Sequence, residues 1–129
     1  MNCAWPIGNP QPGRPTVLVV ESEILLRMAV ASELRQEGFN VAEAANADEA
    51  FSILHSGIPI DLVLADLGMR GPQEQPSLVG AIRAEYPDVK MVVAAQPNEH
   101  GLDDAVDVML RKPYDVSKAA GLVRTLLDP

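Results

Sequence analysis

A chain of 129 residues with 47% hydrophobic side chains suits one domain that buries a single core without metal or disulfide staples. Its formal net charge of -8 argues against nucleic-acid binding, because phosphate contacts need clustered Lys and Arg and only Arg111 and Lys112 are adjacent. No run approaches the roughly 20 apolar residues of a membrane span, the start lacks the basic flank and apolar core of a signal peptide, and the lone Cys3 has no disulfide partner, so a cytoplasmic protein away from membranes is expected.

Residues 1–15 carry Pro6, Pro10, Pro12 and Pro15 among Gly and Asn and read as a flexible tail, with Trp5 its one large aromatic. A domain spanning 16–129 then begins abruptly with the β-branched run Thr16-Val17-Leu18-Val19-Val20, a first strand ending on Glu21. Ile24, Leu25, Met28, Ala31 and Leu34 recur at helical spacing and Gly38 supplies a stop, which predicts an amphipathic helix of about four turns. Asn40 to Ala44 reads as a second strand. Asn46 with Glu49 three residues on resembles a capping box opening a helix through Leu54.

Asp61 to Asp66 is so apolar before its last residue that it reads as a strand buried on both faces of a parallel sheet. A Gly/Pro/Gln loop runs to Pro76, a helix from about Ser77 to Glu85, and a fourth strand from Lys90 to Ala95. Pro97 and Gly101 leave room only for a shortened fourth helix before a fifth strand over Val106 to Arg111, and Val116 to Leu127 closes the chain as an amphipathic helix. Strands and helices that alternate in this way imply an α/β fold with a parallel sheet covered on both faces and right-handed crossovers. The flavodoxin-like (βα)5 sandwich of strand order 2-1-3-4-5 fits five such units, and its functional crevice lies outside the carboxyl ends of the strands where the first and third part.

That rule gathers Glu21, Asp66 and Lys112 at one edge of the sheet. Two close carboxylates attract a hard divalent cation such as Mg2+, an Asp beside it can act as a nucleophile toward a phosphoryl group, and a lysine offers a point charge to a phosphoryl oxygen. The ordinary alternative is a strand-end charge at Glu21 and a structural salt bridge between Lys112 and Asp66. His55 and His100 have no Cys or second close His and read as solvated. No P-loop or Gly-x-Gly-x-x-Gly is present.

Val17-Leu18-Val19-Val20-Glu21, Leu62-Val63-Leu64-Ala65-Asp66-Leu67-Gly68-Met69 and Arg111-Lys112-Pro113-Tyr114 resemble, in order and spacing over residues 16–128, the receiver domain of bacterial two-component response regulators. The stretch from Glu43 to Ala50 is similar to proteobacterial receivers in particular. The resemblance implies a phosphorylatable Asp66, a phosphate-contacting Lys112, metal binding by Glu21, Asp66 and the Gly68 backbone, and a cis bond before Pro113. It further implies a histidine kinase or phosphotransferase as phosphoryl donor, a downstream protein of unknown identity, a second copy of the chain as a candidate partner, and a signalling role rather than an enzymatic one.

Several positions depart from that pattern. The family's second adjacent acid is Ser22 here, a weaker Mg2+ ligand, so metal affinity should fall. Its hydroxyl at the end of the fourth strand is replaced by Ala94, and its switch aromatic on the fifth strand by Met109. Arg70 stands where the family has Pro, able to pair with Glu21 or Asp66, to meet an incoming phosphate, or to remain solvated. The expectation is a stand-alone receiver in phosphorelay signal transduction that accepts phosphate on Asp66. The alternative is a pseudo-receiver, a phosphorylation-independent interaction module of the same fold. A phosphatase is disfavoured because no second acid follows Asp66 by two residues to act as general acid.

Overall fold

The computed structural model describes residues 11–66, 78–95 and 106–127. Among these residues nine elements follow in order: β1 (Thr16–Val20), α1 (Ile24–Gln36), β2 (Asn40–Ala44), α2 (Ala47–His55), β3 (Leu62–Asp66), α3 (Leu78–Glu85), β4 (Lys90–Ala95), β5 (Val108–Arg111) and α4 (Val116–Leu127). All strand pairs are parallel and the sheet order is β2-β1-β3-β4-β5, as the alternation predicts. The short helix expected after β4 falls on residues outside the described set.

The two-residue period of the strands divides the core between the faces of the sheet. Val17, Val19, Val41, Leu62, Leu64, Val92 and Leu110 pack with Val30, Ala31 and Leu34 of α1 and with Ala119, Ala120 and Val123 of α4. Leu18, Val20, Ala42, Val63, Ala65, Met91 and Val93 pack on the other face with Ile53 and Leu54 of α2 and Val79 and Ile82 of α3. Extending the same alternation past the strand ends sends Glu21, Asp66, Ala94 and Lys112 all toward the α1/α4 face at the carboxyl edge.

Side-chain caps define the element ends. Asn46 Oδ1 accepts the Glu49 N–H at 2.9 Å, as its spacing predicts, while Glu49 Oε1 reaches one residue past the N-cap and accepts from the Ala45 N–H at 2.7 Å. Gly38 ends α1 with a φ of +100°, a conformation L side chains rarely adopt. At the amino edge Asp61 accepts the Thr16 N–H at 2.8 Å and Asp107 the Met91 N–H at 2.7 Å. Gln11 to Arg14, the described end of the proline-rich segment, is tied to Asn40, the first residue of β2: its Oδ1 accepts from Gln11 and its Nδ2 donates to the Gln11 and Arg14 carbonyls.

Two boundaries shift for identifiable reasons, and one helix buries a different stripe. β1 ends at Val20 because the next carbonyl, that of Glu21, turns to the Arg27 guanidinium. β5 starts at Val108, not Val106, because the Asp107 carboxylate takes the Met91 N–H that a ladder carbonyl would otherwise accept. Helix α1 departs further: Ile24, Leu25 and Met28 are 57%, 78% and 55% exposed, while its buried side chains begin at Val30. In the first turns of α1 Leu26 alone among the apolar side chains packs on the core, so the expected stripe is buried only from Ala31 onward. No helix among the described residues is long and apolar enough to cross a membrane.

Candidate functional site

Glu21 lies between β1 and α1, only 6% exposed, and three of its atoms are engaged. Its N–H donates to the Ala44 carbonyl at 2.9 Å, its own carbonyl accepts from Arg27 Nη1 at 2.9 Å, and Oε2 accepts the Glu23 N–H at 3.0 Å. Burial raises its carboxyl above the usual range; the Glu23 amide pulls the other way, and the charge of Asp66 adds to the rise.

Asp66 ends β3 beside Ala94, its register partner on β4, which is 2% exposed and brings no hydroxyl. Lys112 follows β5, where its N–H donates to the Ala95 carbonyl at 2.9 Å and so aims the residue along the same edge. Its Nζ donates to Asp66 Oδ1 at 2.5 Å, with both side chains largely covered. The Lys112–Pro113 peptide is cis. Tyr114 comes next, its phenol pushed up to about 12 by burial and by the charges of Glu21 and Asp66, so it stays protonated at any physiological pH.

These groups share a cavity of about 420 Å³. The β1–α1 junction contributes Glu21, Ser22, Glu23 and Leu26, β3 contributes Asp66, and Lys112, Pro113 and Tyr114 complete the lining. Of the expected site residues, Glu21, Ser22, Asp66 and Lys112 therefore converge, and Ala94 stands at Asp66. Met109 is 37% exposed and, by the strand alternation, faces away from this edge. His55, the last residue of α2, pairs at 3.2 Å with Glu85, the last residue of α3, and does not line the cavity. Gly68, Arg70 and His100 lie outside the described residues.

Mg2+ is commonly held through one or two carboxylates with waters retained. Glu21 and Asp66 fit that demand: two largely buried carboxyl groups face one cavity with Lys112 as the one cation lining it among the described residues, and burial and the Asp66 charge raise the Glu21 carboxyl more than the Glu23 amide and Lys112 lower it. No group of three His, Cys, Asp or Glu side chains is arranged to hold a metal among the described residues. Ser22, exposed at the rim, offers only a hydroxyl where a third carboxylate would strengthen binding.

Sequence reasoning overlooked Arg27 and gave Tyr114 no role. A charged residue inside the run Ile24-Leu25-Leu26-Arg27-Met28-Ala29 was the available signal for the first. For the second it was an aromatic placed two residues after Lys112, where the chain turns back to the sheet edge.

A family model described as response regulator receiver domain matches residues 17–123. The sensor kinase CckA of Brucella abortus is 31% identical over 122 residues, covering 90% of this chain and 13% of that protein. The transcriptional regulatory protein AruR of Pseudomonas aeruginosa is 30% identical, covering 85% of this chain and 50% of that protein, so the chain spans half or less of the length of these relatives. Among solved structures, the response regulator TrrA of Thermotoga maritima in complex with Mg2+ and BeF superposes with a TM-score of 0.72 at 29% identity, covering 88% of this chain and 99% of that one.

Proposed function

The chain belongs to the response regulator receiver family, and from that premise we propose that it accepts a phosphoryl group on Asp66 from the phosphohistidine of a histidine kinase or phosphotransferase. The observation that carries this reading is the Lys112 ammonium held 2.5 Å from the Asp66 carboxylate in a cavity that Glu21 also lines. A purely structural ion pair is better covered by apolar neighbours than opened to a cavity with a second buried anion.

In the transfer, an Asp66 carboxylate oxygen attacks phosphorus. The new O–P bond forms as the P–N bond of the donor breaks, and the bonding pair leaves on the imidazole nitrogen. Lys112 is placed to follow the charge, exchanging its contact with Oδ1 for a phosphoryl oxygen. Mg2+, when bound, neutralises charge on the phosphoryl oxygens, and Glu21 with Asp66 would hold it. Tyr114, neutral and partly buried, narrows the access of water to the same cavity.

The exposed Ile24, Leu25 and Met28 flank Leu26, which lines the cavity, and offer a protein donor an apolar footing beside Asp66. The relatedness to TrrA, whose structure carries Mg2+ and BeF, supports the metal in the scheme.

Incubation with acetyl phosphate and Mg2+ followed by intact mass measurement tests the proposal. One phosphoryl adduct on the wild type, absent from Asp66→Asn, is expected. No adduct under these conditions would sink it and leave the second reading, a pseudo-receiver, which Ala94 favours by bringing no hydroxyl to the β4 position beside Asp66.

A further inference from the structure

On the phosphoacceptor reading, Glu21 supplies one of the two carboxylates of the site, yet it belongs to neither a strand nor a helix, since β1 ends at Val20 and α1 starts at Ile24. A junction residue must be held by its own contacts. It must also be held against repulsion, because its carboxylate shares a cavity with that of Asp66.

Arg27 sits one turn into α1, where side chains tilt back toward the helix start, and its Nη1 reaches the Glu21 carbonyl at 2.9 Å. The side chain is only 16% exposed. Its Nε lies 3.4 Å from Glu43 Oε1 on β2 but makes no hydrogen bond among the described residues. Glu43 in turn accepts a hydrogen bond from Arg35 Nη2 at 3.2 Å. An arginine buried for the sake of an ion pair would direct its best hydrogen bond at the carboxylate. Arg27 directs it at the main chain of Glu21, and uses Glu43 only as a counter-charge behind it.

We propose that Arg27 is a positioning residue of the acidic wall: by clamping the Glu21 carbonyl it keeps the Glu21 carboxylate facing Asp66, and it touches neither metal nor phosphoryl group itself. Releasing the carbonyl frees the junction to rotate, and the Glu21 carboxylate then loses the Glu23 N–H and its approach to the metal position together. Residues that orient metal ligands in this indirect way commonly change affinity by 10- to 100-fold when removed.

The test reads the Glu23 amide, whose acceptor is Glu21 Oε2. Hydrogen exchange of that amide, followed by NMR without metal or phosphoryl donor, should speed up about tenfold in Arg27→Ala. It should return toward the wild-type rate in Arg27→Lys, which keeps a donor for the carbonyl, and stay slow in Glu43→Gln, which removes only the counter-charge. A Mg2+ titration should show affinity falling about tenfold or more in Arg27→Ala and recovering in Arg27→Lys.

Unchanged Glu23 exchange in Arg27→Ala would overturn the assignment, as would an equal acceleration in Glu43→Gln, which would make Arg27 a helix-to-strand tie and nothing more. Should Arg27→Ala not fold, Arg27→Met keeps the stem without a donor and is compared with Arg27→Lys under the same two outcomes. A wild type that takes no phosphoryl group on Asp66 would defeat the phosphoacceptor reading and leave the exchange result intact.

Discussion

Glu21 is the side chain whose chemistry and stability pull in opposite directions. Its carboxyl is raised above the ordinary 4.5 by burial first and by Asp66 among the lesser causes. The folded state therefore binds this proton more tightly than the unfolded state, and the stability so contributed is lost as pH rises from 4.5 through the raised value. Glu21→Gln keeps an acceptor for the Glu23 N–H and removes the charge. It should raise stability at pH 7 in metal-free buffer by about 1 kcal/mol, a few degrees in Tm, with the difference vanishing below the ordinary value for a carboxyl. Thermal unfolding at pH 7 and pH 4 checks both halves of the statement. A variant no more stable than wild type at pH 7 would mean that Glu21 is already compensated.

At the scale of elements, carboxylates and amides do the joining at the amino edge of the sheet. Asp107 binds the first turn of pairing between β4 and β5 and draws in α3, since Oδ2 accepts both the Met91 N–H at 2.7 Å and Arg83 Nη2 at 2.9 Å. Burial alone would raise its carboxyl, but the Met91 amide and the Arg83 guanidinium outweigh it and hold the group below 3.8. A depressed carboxyl contributes stability above its unfolded value and loses it as pH falls through the folded one. Asp107→Ala leaves the Met91 N–H without its acceptor and should cost about 1–3 kcal/mol at pH 7, less at pH 3, as measured by urea unfolding. Helix α1 is the opposite case, an element whose sequence stripe and buried stripe do not coincide. Ile24, Leu25 and Met28 satisfy the helical period as well as Val30 does, and spacing alone cannot tell a residue that faces the core from one that faces a partner.

For the molecule as a whole, the exposed Ile24, Leu25 and Met28 flank Leu26 at the cavity and are the apolar footing proposed for a protein donor on a chain of net charge -8. Leu25, 78% exposed, can be changed with little effect on the core. Leu25→Glu should reduce phosphoryl transfer from a histidine phosphotransferase at least about tenfold more than it reduces labelling by acetyl phosphate, a donor too small to need a footing. Parallel time courses with the two donors make the comparison. Equal effects on both would locate the docking face elsewhere.

The sequence by itself determined the order of elements, the parallel sheet and the edge at which Glu21, Asp66 and Lys112 meet. Each follows from a local pattern: short continuous apolar runs for the strands, helical spacing between them, and a strand order that crossover handedness restricts to few choices. Only the tertiary structure decided that Arg27 turns inward to the Glu21 carbonyl, that Asn40 ties down the segment from Gln11 to Arg14, and that Ile24, Leu25 and Met28 of α1 stay uncovered while Leu26 packs on the core. Those outcomes depend on where a helix ends relative to the sheet beneath it and on contacts between residues distant in the chain. A periodic pattern records which residues share a face, and not what lies opposite that face.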